Sequence, residues 1–191
     1  WVRARGGHAT HRCHADIEVE CAIGDLQAVD KLEVAPLLIA SFDLECVAPD
    51  FSFPQPTRAD DAVAIFGLVL WRHGAPWAER ERVAFCTGPV DAVDGVHVMR
   101  FRGEAEMLRG ARDYLAYTAN PDVVLSYNGF AFDNPFMWKR AIDRHDVASF
   151  PYLSRARFEK CRVRDDMKHS KQQGAREMYL IESPGRVWID L

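Results

Sequence analysis

The segment "APLLIASFDLEC", residues 35–46, is a nearly uncharged run that contains two carboxylates, Asp43 and Glu45, separated by one residue. Its apolar residues predict a β-strand over 37–47 that is buried on both faces. Alternate side chains on a strand point to the same face, about 6–7 Å apart. A buried carboxylate destabilises the fold unless a partner compensates its charge. The segment therefore predicts a central strand and a partner for its two acids.

The segments around this strand predict a mixed sheet with helices on its faces. Apolar patterns indicate a half-exposed strand at 14–23 and further strands at 62–71, 82–86, 96–101, 123–127 and in the terminal "GRVWIDL". Helical spacing predicts a helix between 103 and 120, and Asn134-Pro135 is typical of the N-cap and first turn of a helix that extends to about 145. Direct loops favour antiparallel pairing and helical connections favour parallel pairing. The predicted fold class is α/β, on the ribonuclease H-like plan.

Composition sets limits on the class of protein. The chain has 191 residues, of which 48% are hydrophobic and 27% charged, and its net charge is −4. These values are typical of a globular domain, and they disfavour a protein that coats DNA through an overall basic field. Five cysteines without a C-x₂-C pair favour reduced thiols in an intracellular compartment over a zinc site or a disulfide framework. No apolar run is long enough to predict a membrane span.

Two acids separated by one residue form a common pattern, so its context has to decide its meaning. The chain contains five such pairs, and chance alone predicts about four in a sequence with 28 acids. The acids between 16 and 20 are consistent with the solvent-exposed face of a sheet, and those at 79 and 81 are consistent with a charged loop. The acids at 104 and 106 are consistent with the first turn of a helix, where negative charge is favoured. Asp43 and Glu45 differ because no Lys or Arg lies within five residues on their strand. A divalent cation such as Mg²⁺, which prefers oxygen ligands, is the natural partner.

A third acid follows the strand predicted at 123–127. In "SYNGFAFDNPF", residues 126–136, Asp133 comes after a short loop at the start of the predicted helix. The edge of the sheet at this point is where ligand sites form in such folds. Asp133 is therefore either a third ligand or part of the helix cap, and Asn128 either contacts a ligand or holds the turn. Clustered acids on such a sheet suit two-metal hydrolysis of a phosphodiester.

Three blocks, "FDLEC", "YNGFAFD" and "SPGRVWIDL", resemble the exonuclease domain of B-family DNA polymerases, most closely the delta-type catalytic subunit. The resemblance runs from about residue 12 to the end of the chain. It implies a proofreading enzyme that removes mismatched nucleotides from the primer in the 3′→5′ direction with two divalent ions, Mg²⁺ or Mn²⁺. It also implies that Asp43, Glu45 and Asp133 are catalytic metal ligands and that Asn128 and Phe132 hold the 3′-terminal nucleotide.

The resemblance also predicts the surroundings of this domain. Residues 1–35 would be the end of a β-rich N-terminal domain and a linker, and residues 36–191 the exonuclease domain, with a β-hairpin within 152–186. Its basic side chains belong either to a solvated surface loop or to a phosphate contact. The partners would be primer–template DNA with a single-stranded 3′ end, polymerase domains of the same chain and accessory replication subunits, in the nucleus or in a viral replication compartment.

The family's third exonuclease motif, with a Tyr and a further Asp, is expected after Leu191. Asp190 is not expected to replace that Asp. We therefore expect this segment to be a piece of a longer protein and to have little nuclease activity by itself. Two alternatives remain at this point: a non-catalytic exonuclease-like module that guides DNA within a polymerase, and a free-standing DnaQ-like nuclease. A serine nucleophile is disfavoured because no histidine arrangement accompanies Ser41.

Overall fold

The computed structural model describes residues 3–4, 11–15, 17–170 and 174–191, with side chains described over 11–15, 17–165 and 178–191. The strands in chain order are β1 (Arg3–Ala4), β2 (Val19–Glu20), β3 (Leu38–Val47), β4 (Ala62–Arg72), β5 (Glu81–Thr87), β6 (His97–Phe101), β7 (Val123–Ser126), β8 (Arg162–Ser170), β9 (Gly174–Glu182) and β10 (Val187–Asp190). The helices are α1 (Glu104–Asp113) and α2 (Asp133–Lys139). Within these residues, no helix combines the length and the apolar character needed to cross a membrane.

A six-stranded mixed sheet forms the centre of the fold, in the strand order β10-β7-β3-β4-β5-β6. The pairs β3–β4 and β4–β5 are antiparallel, as their direct loops predict, whereas β3–β7 and β7–β10 are parallel. β5 and β6 are also parallel although a direct loop connects them, so the antiparallel pairing that a direct loop favours does not form there. The connection through α1 places β7 beside β3 rather than beside β6. The predicted α/β class with a mixed sheet and flanking helices is confirmed.

The central strand β3 is buried on one face only. Ala40, Phe42 and Leu44 belong to the core, where they pack with residues of α1 and α2, whereas Asp43 and Glu45 are exposed. The prediction that both faces are buried is therefore wrong for the described residues. An apolar run shows that a strand is central in its sheet, but the second packing layer on each face comes from segments elsewhere in the chain.

Both helices continue beyond their α-helical part into a wider π-helical turn, at Tyr114–Ala119 and Arg140–Arg144. The first ends at Asn120, which has a left-handed backbone conformation, just before Pro121. The second begins at Asp133, with Phe132 as N-cap residue, so the predicted N-cap role of Asn134 is wrong. The Asn134 side chain is buried and donates instead to the carbonyl oxygen of Tyr179, at 2.9 Å.

A buried ion pair ties α1 to the end of the second helix. Arg140 donates to the Glu104 carboxylate through Nε and Nη2, at 3.0 and 2.6 Å, and His145 Nε2 lies 2.6 Å from the same carboxylate. The Val63 N–H of β4 also donates to Glu104, at 2.8 Å. Burial acts to raise the pKa of Glu104, but the hydrogen bonds from Arg140, His145 and Val63 outweigh it, so that the pKa is lowered. Glu104 therefore does more than complement a helix dipole.

The predicted strand at 14–23 is wrong beyond its centre. Of the described residues between 14 and 23, only Val19 and Glu20 lie in a strand, where they pair with Ala4 and Arg3. The apolar Ile17 and Ile23 are exposed. Alternation alone did not produce a strand here because no described layer packs against its apolar side.

The boundary expected at residue 35 stays a prediction. The hairpin implied within 152–186 is present as β8 and β9, which are antiparallel over nine residue pairs.

Candidate active site

Asp43 and Glu45 lie on the exposed face of β3, opposite Gly67 and Ile65 of β4. The strand alternation directs both carboxylates to the same side, as the sequence predicts. The register of β3 against β4 shifts between Glu45 and Cys46, directly after the second acid. Such an irregularity typically strengthens the local twist of a strand, here directly after its two acids.

Asp133, the first residue of α2, reaches β3 from the side of β7. It is 3% exposed, and its Oδ1 accepts a hydrogen bond of 3.0 Å from the backbone N–H of Leu44. Leu44 is the residue between Asp43 and Glu45, so the third acid is anchored to the same strand segment as the other two. The structure therefore brings Asp133 to the predicted pair and leaves it as the buried member of the three.

The electrostatic environment of Asp133 favours a nearby cation. Burial and, to a lesser degree, the negative charges of Asp43 and Asp190 raise the pKa of Asp133 to about 6, against the opposing effect of the Leu44 N–H. An acid that is buried and faces two other acids ionises reluctantly until positive charge arrives. The prediction that Asp43 and Glu45 are the desolvated acids is therefore wrong, because both are exposed and Asp133 is the buried one.

The loop between β7 and α2, residues 127–132, is held by the carboxylate of Asp190. This carboxylate accepts hydrogen bonds from the N–H groups of Gly129, at 2.7 Å, and Phe130, at 3.4 Å. Asn128 has a left-handed backbone conformation with φ of 55° and an exposed side chain, and its backbone oxygen accepts from Ala131 at 3.2 Å. The Asp190 carboxylate and the backbone therefore hold this turn, and the Asn128 side chain faces solvent beside it.

Phe132 directly precedes Asp133 in the chain, and its ring contacts Phe53 and Phe136, with centroid distances of 5.4 and 5.5 Å. Phe53 comes from the loop between β3 and β4 and is 69% exposed. These rings line a groove of about 470 Å³ together with Pro135 and Lys139. Phe53 is a residue of this groove that was not predicted from the sequence, where the available signal was an aromatic, proline-bearing loop directly after the strand with the two acids.

The three acids fit a divalent cation by the chemistry of their donor atoms. Their carboxylate oxygens are the ligands that Mg²⁺ prefers, and the burial of Asp133 beside other acids is relieved by positive charge. In the described part of the chain, no three His, Cys, Asp or Glu side chains are grouped closely enough to hold an ion without rearrangement.

Comparison with known proteins decides the family. Residues 7–191 match the family described as DNA polymerase family B, exonuclease domain. The chain belongs to this family. The exonuclease domain is also 33% identical over 200 residues to a DNA polymerase delta catalytic subunit of Oryza sativa. The matched region covers 100% of this chain and 18% of that protein.

Two further relatives come from other lineages. A DNA polymerase delta catalytic subunit of Mesocricetus auratus is 32% identical over 161 residues, which is 83% of this chain and 14% of that protein. A DNA polymerase of guinea pig cytomegalovirus is 31% identical over 139 residues, which is 65% of this chain and 12% of that protein. The exonuclease domain thus spans less than a fifth of the length of these relatives.

These findings confirm the predicted family and the similarity to delta-type catalytic subunits. Exonuclease domains of this family generally depend on divalent metal ions. The roles of Asp43, Glu45, Asp133, Asn128 and Phe132 stay predictions, which the geometry above now makes specific.

Proposed function

We propose that this exonuclease domain removes nucleotides from a primer 3′ end by hydrolysis of the terminal phosphodiester, as the proofreading part of a delta-type DNA polymerase. The observation that carries the proposal is the hydrogen bond from Leu44 to Asp133. It fixes a buried acid against the strand segment that carries Asp43 and Glu45. Three carboxylates of this kind, contributed by one strand and one helix start, suit a pair of divalent ions.

Asp43, Glu45 and Asp133 would hold the two ions, Mg²⁺ or Mn²⁺. When bound, such ions activate a water molecule near neutral pH and stabilise the leaving oxygen. Asp133 is held in place by the Leu44 N–H, so it needs little reorganisation to act as a ligand. Because Asp43 and Glu45 are exposed, their side chains are free to adjust to the incoming ions and phosphate.

The aromatic rim would hold the terminal nucleotides as a single strand. Phe132 and Phe53 present adjacent rings at the groove, and stacking on such rings tolerates any base. Asn128 lies in the same loop with its side chain exposed, which suits a hydrogen bond to the terminal nucleotide. A mismatched primer end separates from its template at lower cost than a paired one, so this site would favour mismatched ends.

The larger protein would supply the rest of the activity. The relatives named above are polymerases of much greater length, so polymerase domains in the same chain, primer–template DNA and accessory replication subunits are the proposed partners. The delta-type relatives come from eukaryotes, which favours the nucleus. The cytomegalovirus relative keeps a viral replication compartment as the alternative.

Excision and extension assays on the full-length protein test this proposal. We expect the double variant Asp43→Ala with Glu45→Ala to lose mismatch excision by several orders of magnitude while primer extension persists. Undiminished excision by the double variant would refute the assignment of the site. A wild-type protein that extends without excising would favour the non-catalytic, DNA-guiding module, and one that excises without extending would favour a free-standing nuclease.

A further inference from the structure

The loop between β3 and β4, residues 48–61, carries Phe53 to the groove, where its ring contacts that of Phe132. We call this segment the groove loop. Phe53 is 69% exposed, so burial of its own ring does little to hold it in place. A loop side chain that is disordered in the free protein loses conformational freedom when a ligand binds to it, which weakens binding. The contacts that order the groove loop therefore affect how tightly the groove binds.

Arg58 is the centre of these contacts. Its Nε donates to Oδ2 of Asp61 at 2.8 Å, and its Nη2 donates to Oγ of Ser52 at 2.5 Å. Its Nη1 donates to Oδ2 of Asp50 at 3.3 Å, and its Nη2 also lies 3.5 Å from the carbonyl oxygen of Phe53. One guanidinium thus contacts both ends of the groove loop and the backbone of the residue that carries the ring.

The guanidinium is anchored at the buried end of this network. Asp61 is 2% exposed, and its carboxylate also accepts the N–H of Gln55 at 2.7 Å. A buried carboxylate destabilises the fold when it loses its cationic partner, so the contact between Arg58 and Asp61 is maintained. The Asp50 carboxylate is exposed, and ion pairs of exposed groups contribute little. Arg58 is therefore fixed at Asp61 and reaches from there to the part of the loop that carries the ring.

The groove loop is also bonded to the helix that carries Phe132. Arg140, which is buried and directly follows α2, donates through Nη1 to the carbonyl oxygens of Arg58, at 2.9 Å, and Pro56, at 3.4 Å. Phe132 is the N-cap residue at the opposite end of the same helix. The helix thus holds the groove loop from its C-terminal end and presents at its N-terminal end the ring that Phe53 contacts.

This network orders a surface and adds little to the core. Asp50, Ser52 and Phe53 are exposed and lie outside the hydrophobic core. Fixing an exposed ring therefore stabilises the fold little by burial, but it removes part of the entropic cost that a ligand meets when it binds there. Preorganisation of this kind is the physical benefit of holding an exposed ring beside a groove.

We propose that Arg58 is a positioning residue for the primer end, which holds Phe53 against Phe132 before the terminal nucleotides bind. The inference rests on the proposed function in taking a single-stranded primer end as the ligand of the groove. A contact that contributes equally before and during hydrolysis changes KM and leaves kcat unaltered. Because Arg58 acts through the Phe53 ring, its loss should weaken binding without slowing hydrolysis of the bound DNA.

Steady-state excision of a short single-stranded DNA by the full-length protein tests the proposal. We expect Arg58→Ala to raise KM about three- to tenfold while kcat changes by less than about twofold. In a protein that already carries Phe53→Ala, adding Arg58→Ala should raise KM no further, because the ring through which Arg58 acts is missing. Arg58→Lys keeps the charge but lacks the planar fork that reaches several acceptors at once, so it should raise KM by a smaller factor.

Arg82→Ala is the matched control. Arg82 is half-buried like Arg58 and also holds a surface loop, because its Nε donates to the carbonyl oxygen of Gly95 at 3.0 Å. It lies on β5 and does not line the groove, so its loss should leave KM unchanged.

Four results would each overturn the proposal. They are an unchanged KM in Arg58→Ala, an equal rise of KM in Arg82→Ala, a further rise when Arg58→Ala is added to Phe53→Ala, and a loss of kcat in place of a rise in KM. Thermal melts check that each variant is folded. If Arg58→Ala does not fold, Arg58→Lys keeps the test decisive, because its smaller rise in KM should also vanish in the Phe53→Ala background.

Equilibrium binding of the same single strand separates the two proposals, in a protein that carries Asp43→Ala and Glu45→Ala and does not degrade the probe. Suppose that the protein with intact acids excises no DNA, while Arg58→Ala weakens binding only when Phe53 is present. The proposed function then fails and the role of Arg58 stands. If excision proceeds while Arg58→Ala binds the strand as tightly as its parent, the role of Arg58 fails and the proposed function stands.

Discussion

The backbone N–H of Leu44 donates a 3.0 Å hydrogen bond to Oδ1 of Asp133, which joins the middle of the central strand to the first residue of α2. The two residues are 89 positions apart in the chain. Asp43 and Glu45 flank the donor, so the bond ties the third acid to the other two. It also leaves Asp133 buried among acids, which makes this carboxyl sensitive to charge and pH.

Asp133→Asn should stabilise the metal-free domain near neutral pH. The amide oxygen can still accept from Leu44, but no buried charge remains, so we expect a gain of about 3 kcal/mol at pH 7. The pKa of Asp133 is about 6, above its ordinary value of 3.8, so its contribution to stability is present below that ordinary value and is lost as the pH rises through about 6. Urea unfolding in chelator at several pH values should show the gain shrinking towards low pH, and no gain at pH 7 would contradict the prediction.

Mg²⁺ should stabilise the wild-type domain against unfolding. An ion that binds only the folded state at about 100 times its dissociation constant adds about 2.7 kcal/mol. We expect this gain to disappear in the double variant Asp43→Ala with Glu45→Ala, because two of the three proposed ligands are then missing. Thermal melts with Mg²⁺ and with chelator measure the difference, and equal gains in the two proteins would argue for ion binding elsewhere.

Glu104→Gln should destabilise the fold strongly. The change leaves the buried Arg140 guanidinium without its charge partner, and breaking such a pair costs about 3–5 kcal/mol. The matched control is Glu106→Gln, two residues along the same helix and exposed, which should change stability by less than about 0.5 kcal/mol.

The pH dependence of this pair runs opposite to that of Asp133. The pKa of Glu104 is lowered in the folded state, so the ionised Glu104 carboxylate stabilises the fold at a pH above its ordinary pKa of 4.5. This stabilisation is lost as the pH falls through the pKa that Glu104 has in the folded protein. Urea titrations at pH 7 and pH 4 should show the difference between wild type and Glu104→Gln narrowing at the lower pH. A constant difference would mean that packing rather than charge explains the loss.

Phe53→Ala should weaken capture of the primer end. Its ring contacts Phe132 at the groove, and loss of one stacking partner should raise KM for excision of single-stranded DNA about tenfold. Phe51→Ala is the control, because Phe51 lies in the same loop and is 99% exposed, outside the Phe53–Phe132 ring contact. Steady-state kinetics on a short single strand would count against this role if both variants shifted KM equally.

Asp190→Ala should loosen the loop of residues 127–132. Gly129 and Phe130 lose the acceptor for their N–H groups, and an unpaired buried donor costs about 1–3 kcal/mol. Hydrogen exchange at these two amides should accelerate, while amides in β4 exchange as before. If Asp190 instead bound an ion, the variant would raise the Mg²⁺ concentration needed for excision and leave the exchange rates unchanged.

Much of the fold could be predicted from local pattern. Apolar periodicity predicts the core strands β3, β4, β5 and β7, the two helices and the mixed sheet, and three short motifs predict the family. These features depend on residues that are neighbours in the chain. The predicted strand at 14–23 failed where alternation had no described layer to pack against. The acids Asp43, Glu45 and Asp133 were also recognisable, since each lies within or beside a predicted strand.

Which acids could meet, and on which elements they lie, could be predicted from local pattern in the chain. The folded arrangement was needed to show that Asp133, rather than Asp43 or Glu45, is the buried acid, that Asp190 holds the loop and that Phe53 joins Phe132 at the groove. Burial and partnership depend on which distant segments pack together, and no local pattern specifies that. An apolar run places a strand at the centre of a sheet, but the layer that covers each of its faces comes from elsewhere in the chain.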